Sequence, residues 1–283
     1  MITVKSLKKA KCLISKERTK GLRLGFVPTM GALHFGHLSL IRKAKSECDF
    51  LIVSIFVNPL QFGPKEDFKK YPRNLAKDKK LLIKEGVDLL FCPDLSAMYP
   101  SGASVFVYED RLSKVLCGES RPGHFKGVST VLAKLFNIVD PDIAYFGQKD
   151  YQQGLIVKKL ISDLNYNIRI RILPIIREAD NLAMSSRNVY LSDKARKRSK
   201  YIYQSLVLAR NLIRKGLKST DKIISEMIKL LRFKAEAKID YIQILDANAL
   251  IKLKTVKGRT LIAVAIYIDN IRLIDNIIIN VKK

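Results

Sequence analysis

The sequence predicts an α/β protein, a doubly wound parallel sheet followed by a smaller α+β unit. Three observations predict it. Short, nearly continuous apolar runs alternate with helix-length amphipathic stretches through about the first 175 residues, as expected of strands buried on both faces. Right-handed crossovers between such strands then place helices on both sides of the sheet. After residue 176 the alternation stops, and a polar loop, a long helix and a group of strands follow. No internal repeat or low-complexity linker intervenes, so the expected division is 1–176 and 177–283.

In chain order, MITVKSLKKAKCLISKERTKG reads as a basic amphipathic first helix, without the apolar stretch of a signal peptide. LRLGFV (22–27) is a strand, followed by a loop and the helical HLSLIRKAKSE. DFLIVSIFV (49–57) is the next strand, then come a loop, the helical NLAKDKKLLIKEG and the strand VDLLFC (87–92). KGVSTVLAKLFNIV is a helix, PDIAYFG a strand, DYQQGLIVKKLISDL a helix and NIRIRILPII a strand. READNLAMSSRN leads into a helix capped by Ser192 and ended by Gly216. A second helix and strands at DYIQIL, RTLIAVAIYI and RLIDNIIINV complete the chain.

A chain of 283 residues can bury a sizeable core. No apolar run approaches the roughly 18 residues a membrane span needs, so a cytoplasmic protein without membrane partners is expected. Cys12, Cys48, Cys92 and Cys117 are scattered with no C-x-x-C pair, which points to reduced, mostly buried thiols. The net charge of +26 raises the question of nucleic acid. The lysines, however, are spread over nearly every helical segment and accompany heavy Ile and Asn usage, the drift of an AT-rich genome. The densest cluster, KARKRSK at 194–200, reads as one solvated helix face, and no nucleic-acid partner is expected.

In an open parallel sheet, ligands bind beyond the carboxyl ends of the strands. Three loops there carry polar groups that packing does not require: PTMGALHFGH, NPLQFGPKEDFKKYPR and GQKDYQQ. Gly31 and Gly36 have P-loop spacing, but His37 and Leu38 stand where Lys and Ser or Thr are needed. Zinc would need a third ligand at suitable spacing, so no metal site is expected. His37 falls instead at a helix N-terminus, which favours anions, and His34 can aim at the same place. The two glycines let backbone approach a phosphate closely. H-x-G-H is the signature of nucleotidyl-transferring folds that bind ATP without a P-loop. AMSSRN (183–188) fits the second, mobile phosphate loop of such enzymes, with two hydroxyls and the Arg187 cation.

Together PTMGALHFGH, SIFVNPLQFGPKEDFKKYPR, RPGHFKGVSTVLAKLFNIVDPDIAYFGQKDYQQ and MSSRN closely resemble the pantothenate synthetase (pantoate–β-alanine ligase) family, over essentially the whole chain. The resemblance implies a Rossmann-like ATP-binding domain of nucleotidyltransferase type, a C-terminal lid domain and a homodimer. It implies ATP-dependent condensation of (R)-pantoate with β-alanine through a pantoyl adenylate, releasing AMP and pyrophosphate, with Mg²⁺ accompanying ATP and no tightly bound cofactor. Carried over by position, the ATP site comprises Met30, Gly31, Ala32, Leu33, His34, Phe35, Gly36 and His37, with His37 the proton donor. It continues through Gly147, Gln148, Lys149 and Asp150, then Ile176, Met184, Ser185, Ser186 and Arg187. His34, Lys149 and Arg187 join His37 as expected catalytic groups. Gln61 and Gln153 match the residues that hold pantoate, with Asn58, Tyr71, Arg121 and His124 at matching positions in the same cleft.

The residue chemistry agrees with those roles. Glutamines both donate and accept, which suits pantoate's hydroxyls and carboxylate. Lys149 is a point charge for phosphate, and Asp150 an acceptor for ribose hydroxyls or a helix N-cap. The chain departs from the family pattern where IYIDNIRLIDN lacks a glycine near Asp269, and where Gln148 replaces an expected Glu. Two rival classes are a different nucleotidyltransferase, which would lack the paired glutamines, and an RNA-binding protein built on a synthetase core.

Overall fold

A computed structural model describes residues 1–64 and 66–281, so Lys65 of the PKED stretch lies outside the described residues. Six strands form one parallel sheet: β1 (Ile2–Val4), β2 (Leu24–Thr29), β3 (Phe50–Ile55), β4 (Leu89–Phe91), β5 (Ile143–Gly147) and β6 (Arg169–Leu173), in the order β1-β4-β3-β2-β5-β6. One face carries α1 (Leu7–Thr19), α6 (His124–Val139) and α7 (Tyr151–Asp163), packed on Phe26, Ile52, Phe91 and Phe146. The other face carries α2 (Phe35–Glu47) and α3 (Leu75–Lys84), packed on Val27, Leu51, Val53, Leu90 and Tyr145. The sheet is thus wound on both faces, and α6 is buried almost all round, as its apolar sequence requires.

The N-terminal reading needs a correction. Residues 2–4 form β1 ahead of the first helix, and β1 pairs with β4 at the sheet edge. A three-residue edge strand is too short to show a period in the sequence. β6 stops at Leu173 because Pro174 follows it. Two further short helices, α4 (Leu95–Met98) and α5 (Cys117–Ser120), lie in the long β4–α6 connection.

Strands are added outward from β2 in opposite directions, β3 and β4 on one side and β5 and β6 on the other, which makes the β2–β5 boundary a topological switch point. The two strands pair only through Gly25↔Ile143 and Phe26↔Ala144, and then separate. Val27 to Thr29 remain paired with β3 alone, which is how Pro28, lacking an N–H, is accommodated within a strand. The opening this leaves is the cleft.

Beyond β6, α8 (Asp193–Arg214) and α9 (Thr220–Ala235) cover an antiparallel sheet of β7 (Lys238–Asp246), β8 (Gly258–Ile268) and β9 (Ile271–Val281), in that order. β8 is central and buried on both faces, which explains its unbroken apolar run. Its second face packs through Leu261 and Ala263 onto Leu116 and Tyr151 of the first unit. The β8–β9 turn solves the missing-glycine problem. Asp269 and Asn270 both take positive φ (47° and 64°) between the paired Ile268 and Ile271, a two-residue hairpin of type I′. Asp and Asn tolerate that conformation better than other non-glycine residues.

The 194–200 cluster is not a freely solvated face. Arg196 pairs with Glu178 and Asp180, and Arg198 with Glu236 and Asp269, so the helix uses these cations to hold its own chain. Among the described residues, no helix is long and apolar enough to cross a membrane.

Candidate active site

The histidine loop leaves β2 through a left-handed turn. Gly31 (φ 80°) and Ala32 (φ 50°) are consecutive, and a Cβ on Gly31 would also crowd the Asp78 carboxylate at 3.0 Å. Asp78, buried on α3, holds this turn by accepting the N–H groups of Ala32 (2.9 Å) and Leu33 (2.8 Å). The sequence reading missed this residue. The one available signal was a lone acid inside the lysine-rich helix LAKDKKLLIK.

His34 and His37 then cap α2 reciprocally. His34 Nδ1 accepts the N–H of Gly36 (3.1 Å), and His37 Nδ1 accepts the N–H of His34 (3.3 Å). Each ring has its Nδ1 committed as an acceptor, so its proton sits on Nε2. The rings lie 4.1 Å apart. Gly36 is required by this packing, since a Cβ there would fall 2.8 Å from the His34 ring. Burial, and then the charge of Lys149, lowers the His34 pKa to about 4. Burial, His34 and Lys149 hold His37 well below its ordinary value. Both rings are neutral Nε2–H donors at pH 7.

Lys149 and Asp150 follow β5 on the other side of the opening, 3.5 Å apart. Asp150 occupies the N-cap position of α7 but makes no side-chain cap hydrogen bond, which corrects the capping part of its expected role. Ile176 and Met184 face each other across a small hairpin, with Met184 N–H donating to Ile176 O (3.0 Å). Ser185 Oγ accepts the N–H of Arg187 (3.3 Å), and Ser186 Oγ donates to Ala32 O (3.1 Å), which ties this segment to the histidine loop.

The third wall comes from the loop after β3. Gln61 Nε2 donates to Met30 Sδ (2.8 Å), and Gln61 Oε1 accepts from Asn58 Nδ2 (3.3 Å). Asn58, 1 % exposed, also donates to Gly127 O and accepts from Leu60 N–H and Tyr99 Oη, so its amide is engaged within the fold. Arg121 donates to His124 Nε2 (3.0 Å), which leaves His124 Nδ1–H to donate to Gln61 O (2.7 Å). Burial, and then Arg121, lowers the His124 pKa to about 3. Two carboxylates that the sequence reading passed over complete this rim. Glu66 grips Arg121 (2.6 and 2.7 Å), and Asp67 grips Arg187 (2.8 and 2.7 Å).

One cleft therefore collects Met30, His34, Gly36, His37, Asn58, Gln61, Tyr71, Arg121, His124, Gly147, Lys149, Asp150, Gln153, Ile176, Met184, Ser185, Ser186 and Arg187. Gly31, Ala32, Leu33, Phe35 and Gln148 do not line it. Leu33 is in the core, Phe35 is 62 % exposed, and the Gln148 side chain turns to Asn276. The arrangement brings neutral donors, cations and uncharged amides into one cleft, suited to a phosphate beside a small polar acid.

Comparison with known proteins agrees with that chemistry. The sequence model of the family described as pantoate-beta-alanine ligase matches residues 2–278. The chain is 52 % identical to a pantothenate synthetase of Thermosipho melanesiensis, covering 99 % of each, and 50 % identical to one from Thermotoga petrophila, covering 99 % of this chain and 100 % of that one. The crystal structure of pantothenate synthetase from Thermus thermophilus superposes with a TM-score of 0.93 at 42 % identity, over 98 % of this chain and 99 % of that one. A pantoate-beta-alanine ligase from Francisella tularensis, complexed with beta-gamma ATP and beta-alanine, gives 0.81 at 36 % identity, over 98 % and 97 %.

Proposed function

From the premise that the chain belongs to the pantoate–β-alanine ligase family, we propose that it condenses (R)-pantoate with β-alanine at the expense of ATP, forming a pantoyl adenylate and releasing AMP and pyrophosphate. The observation that carries the reading is the pair of neutral Nε2–H donors, His34 and His37, fixed at the N-terminus of α2 opposite Lys149. The nucleotide and β-alanine reported with the Francisella relative are taken as this chain's own substrates.

Pantoate's carboxylate attacks the ATP α-phosphorus in line, the bond to the β-phosphate oxygen breaks, and pyrophosphate leaves. His34 and His37 donate hydrogen bonds to the oxygens that gain charge, aided by the positive end of the α2 dipole. His37 does this from a neutral ring, as a hydrogen-bond donor. Lys149 lies over the phosphates, Ser185, Ser186 and Arg187 receive the pyrophosphate, and Asp150 takes the ribose hydroxyls. Ile176 and Met184 supply apolar surface for the base. Gln61 and Gln153 hold pantoate, while Asn58 positions Gln61. The β-alanine amine then attacks the acyl carbon and AMP departs. No cleft side chain is an activated nucleophile, so the enzyme's lever is holding the reactants in line.

Among the described residues, no group of three His, Cys, Asp or Glu is placed to hold a metal, and Glu66 and Asp67 are paired with arginines. Mg²⁺ therefore fits best as a companion of the nucleotide, held mainly by its phosphates. The two units, divided at 176/177, enclose the adenylate and exclude water. A cytoplasmic homodimer is part of the proposal. The segment 103–109, outside any helix or strand, exposes Val105, Phe106 and Tyr108, apolar surface that a second copy would cover.

The test is product formation. AMP should appear only with ATP, pantoate and β-alanine together, and pyrophosphate should exchange into ATP with pantoate alone. Oxygen-18 from the pantoate carboxylate should appear in AMP. Release of ADP and phosphate would reject the adenylate.

A further inference from the structure

We propose that Asn276 on β9 is a positioning residue for adenylation, setting the Lys149 loop against the two histidines from the C-terminal sheet. The inference rests on the reading of Lys149 as a phosphate-binding cation.

Asn276 is 3 % exposed, and its amide is fully engaged on one loop. Nδ2 donates to Gln148 O (3.1 Å) and to Lys149 O (3.0 Å), while Oδ1 accepts from Gln148 Nε2 (3.3 Å). These bonds cross 127 and 128 positions of sequence and join the two sheets. They fix the carbonyls on both sides of the Lys149 N–Cα bond, and so the direction in which its side chain leaves the backbone. Only an amide can donate to two carbonyls and accept from a third group at once; Asp lacks the donors and Ser has a single one.

The neighbouring residue does the same for the second phosphate loop. Asp275, buried on the other face of β9, receives both arms of Arg177 (2.6 and 3.0 Å), and Arg177 directly follows Ile176 at the foot of the hairpin that ends in Met184. Successive strand residues point to opposite faces, so one two-residue step reaches both loops. Asn276 sits opposite Ala263, on the face packed against the first unit, and Asp275 opposite Val264, on the face under α8 and α9. The position of the C-terminal sheet is thereby coupled to where Lys149 stands.

A double-mutant cycle separates positioning from general stability. ATP affinity by calorimetry and pantoate-dependent ATP–pyrophosphate exchange are measured for wild type, Asn276→Ala, Lys149→Ala and the double variant. Asn276→Ala should weaken ATP binding and slow exchange by about tenfold, with the pantoate KM changed less than about twofold. In the Lys149→Ala background the same substitution should add less than about twofold, because the group it positions is gone. Multiplicative losses, or an Asn276→Ala enzyme within about twofold of wild type, overturn the proposal. If Asn276→Ala does not fold, Asn276→Ser enters the same cycle and is expected to show a smaller loss that again vanishes without Lys149. A wild type that binds ATP but shows no pantoate-dependent exchange would reject the ligase reading, while the coupling would still register in ATP affinity.

Discussion

The histidine corner and the arginine rim face each other across one cleft, yet backbone hydrogen bonds fix the first and ion pairs fix the second. At the corner, Asp78, Gly36 and the reciprocal cap leave His34 and His37 neutral and with one tautomer each. At the rim, Arg121 and Arg187 are each held by a carboxylate from residues 66–67, with side chains still 13–27 % exposed. The corner is prearranged for its ligand. The rim holds charges that an incoming anion can take over, since Arg121 and Arg187 both line the cleft.

Acid should separate the two regions most sharply. Unfolded histidines protonate near pH 6.5, whereas His34 and His124 resist down to about 4 and about 3, and His37 is lowered too. Below pH 6.5 the unfolded state therefore binds more protons. Stability is complete above that pH and is lost as pH falls toward 4, by up to about 1.4 kcal/mol per pH unit for each histidine. Burial opposes ionisation of Glu66 and Asp67, but Arg121 and Arg187 outweigh it and hold both carboxyls below their ordinary values. The rim carboxylates therefore contribute their loss only at still lower pH, whereas His124, which also stands on the rim, contributes in the same range as the corner. Denaturant midpoints between pH 7 and 4 measure this, and a flat profile would contradict neutral histidines.

His37→Ala breaks the corner itself. Pyrophosphate exchange should fall about 10²–10³-fold, the scale for losing one preorganised donor. Thermal stability should fall by only about 1 kcal/mol, the value of a cap. Gln61→Ala and Gln153→Ala should each weaken pantoate by about 1–3 kcal/mol with ATP little changed, read as paired affinities. Equal losses for both substrates would mean general disruption.

Asp67→Asn tests the rim from the other direction. Freed from its partner, Arg187 should bind phosphate more readily, lowering the KM for ATP about two- to fivefold, with the gain fading at high salt. A higher KM would mean that Asp67 aims Arg187 and does not withhold it. The smallest effect is expected far from the cleft, where Asn270→Gly relieves the left-handed turn and should stabilise the fold by up to about 1 kcal/mol in thermal melts, leaving turnover unchanged.

The parallel sheet and the three converging loops were legible because buried strands and strand–loop–helix order leave local signatures. That His34, His37, Gln61 and Lys149 line one cleft was legible because polar residues of these types stand out in the loops after apolar strands. Asp78, Asp67 and Asn276 were not. Asp78 sits in a lysine-rich helix and reads as a solvated charge until α3 is packed against the β2 turn. Asn276 lies in the strand segment RLIDNIIINV, where nothing local marks its partners, which are 127 and 128 positions away. β1 was hidden for a different reason, being too short to have a period.

Asn276 emerges from synthesis 103 residues after Leu173, the last residue of the parallel sheet. At translation speeds of about 5–20 residues per second, the first unit has several seconds in which to fold before β9 exists. During that interval the histidine corner can assemble from local contacts, but the Lys149 loop lacks its clamp. A nascent chain in this state would be a poor adenylating catalyst. Under the proposed mechanism, activity would switch on late, together with the sheet that positions the Lys149 loop.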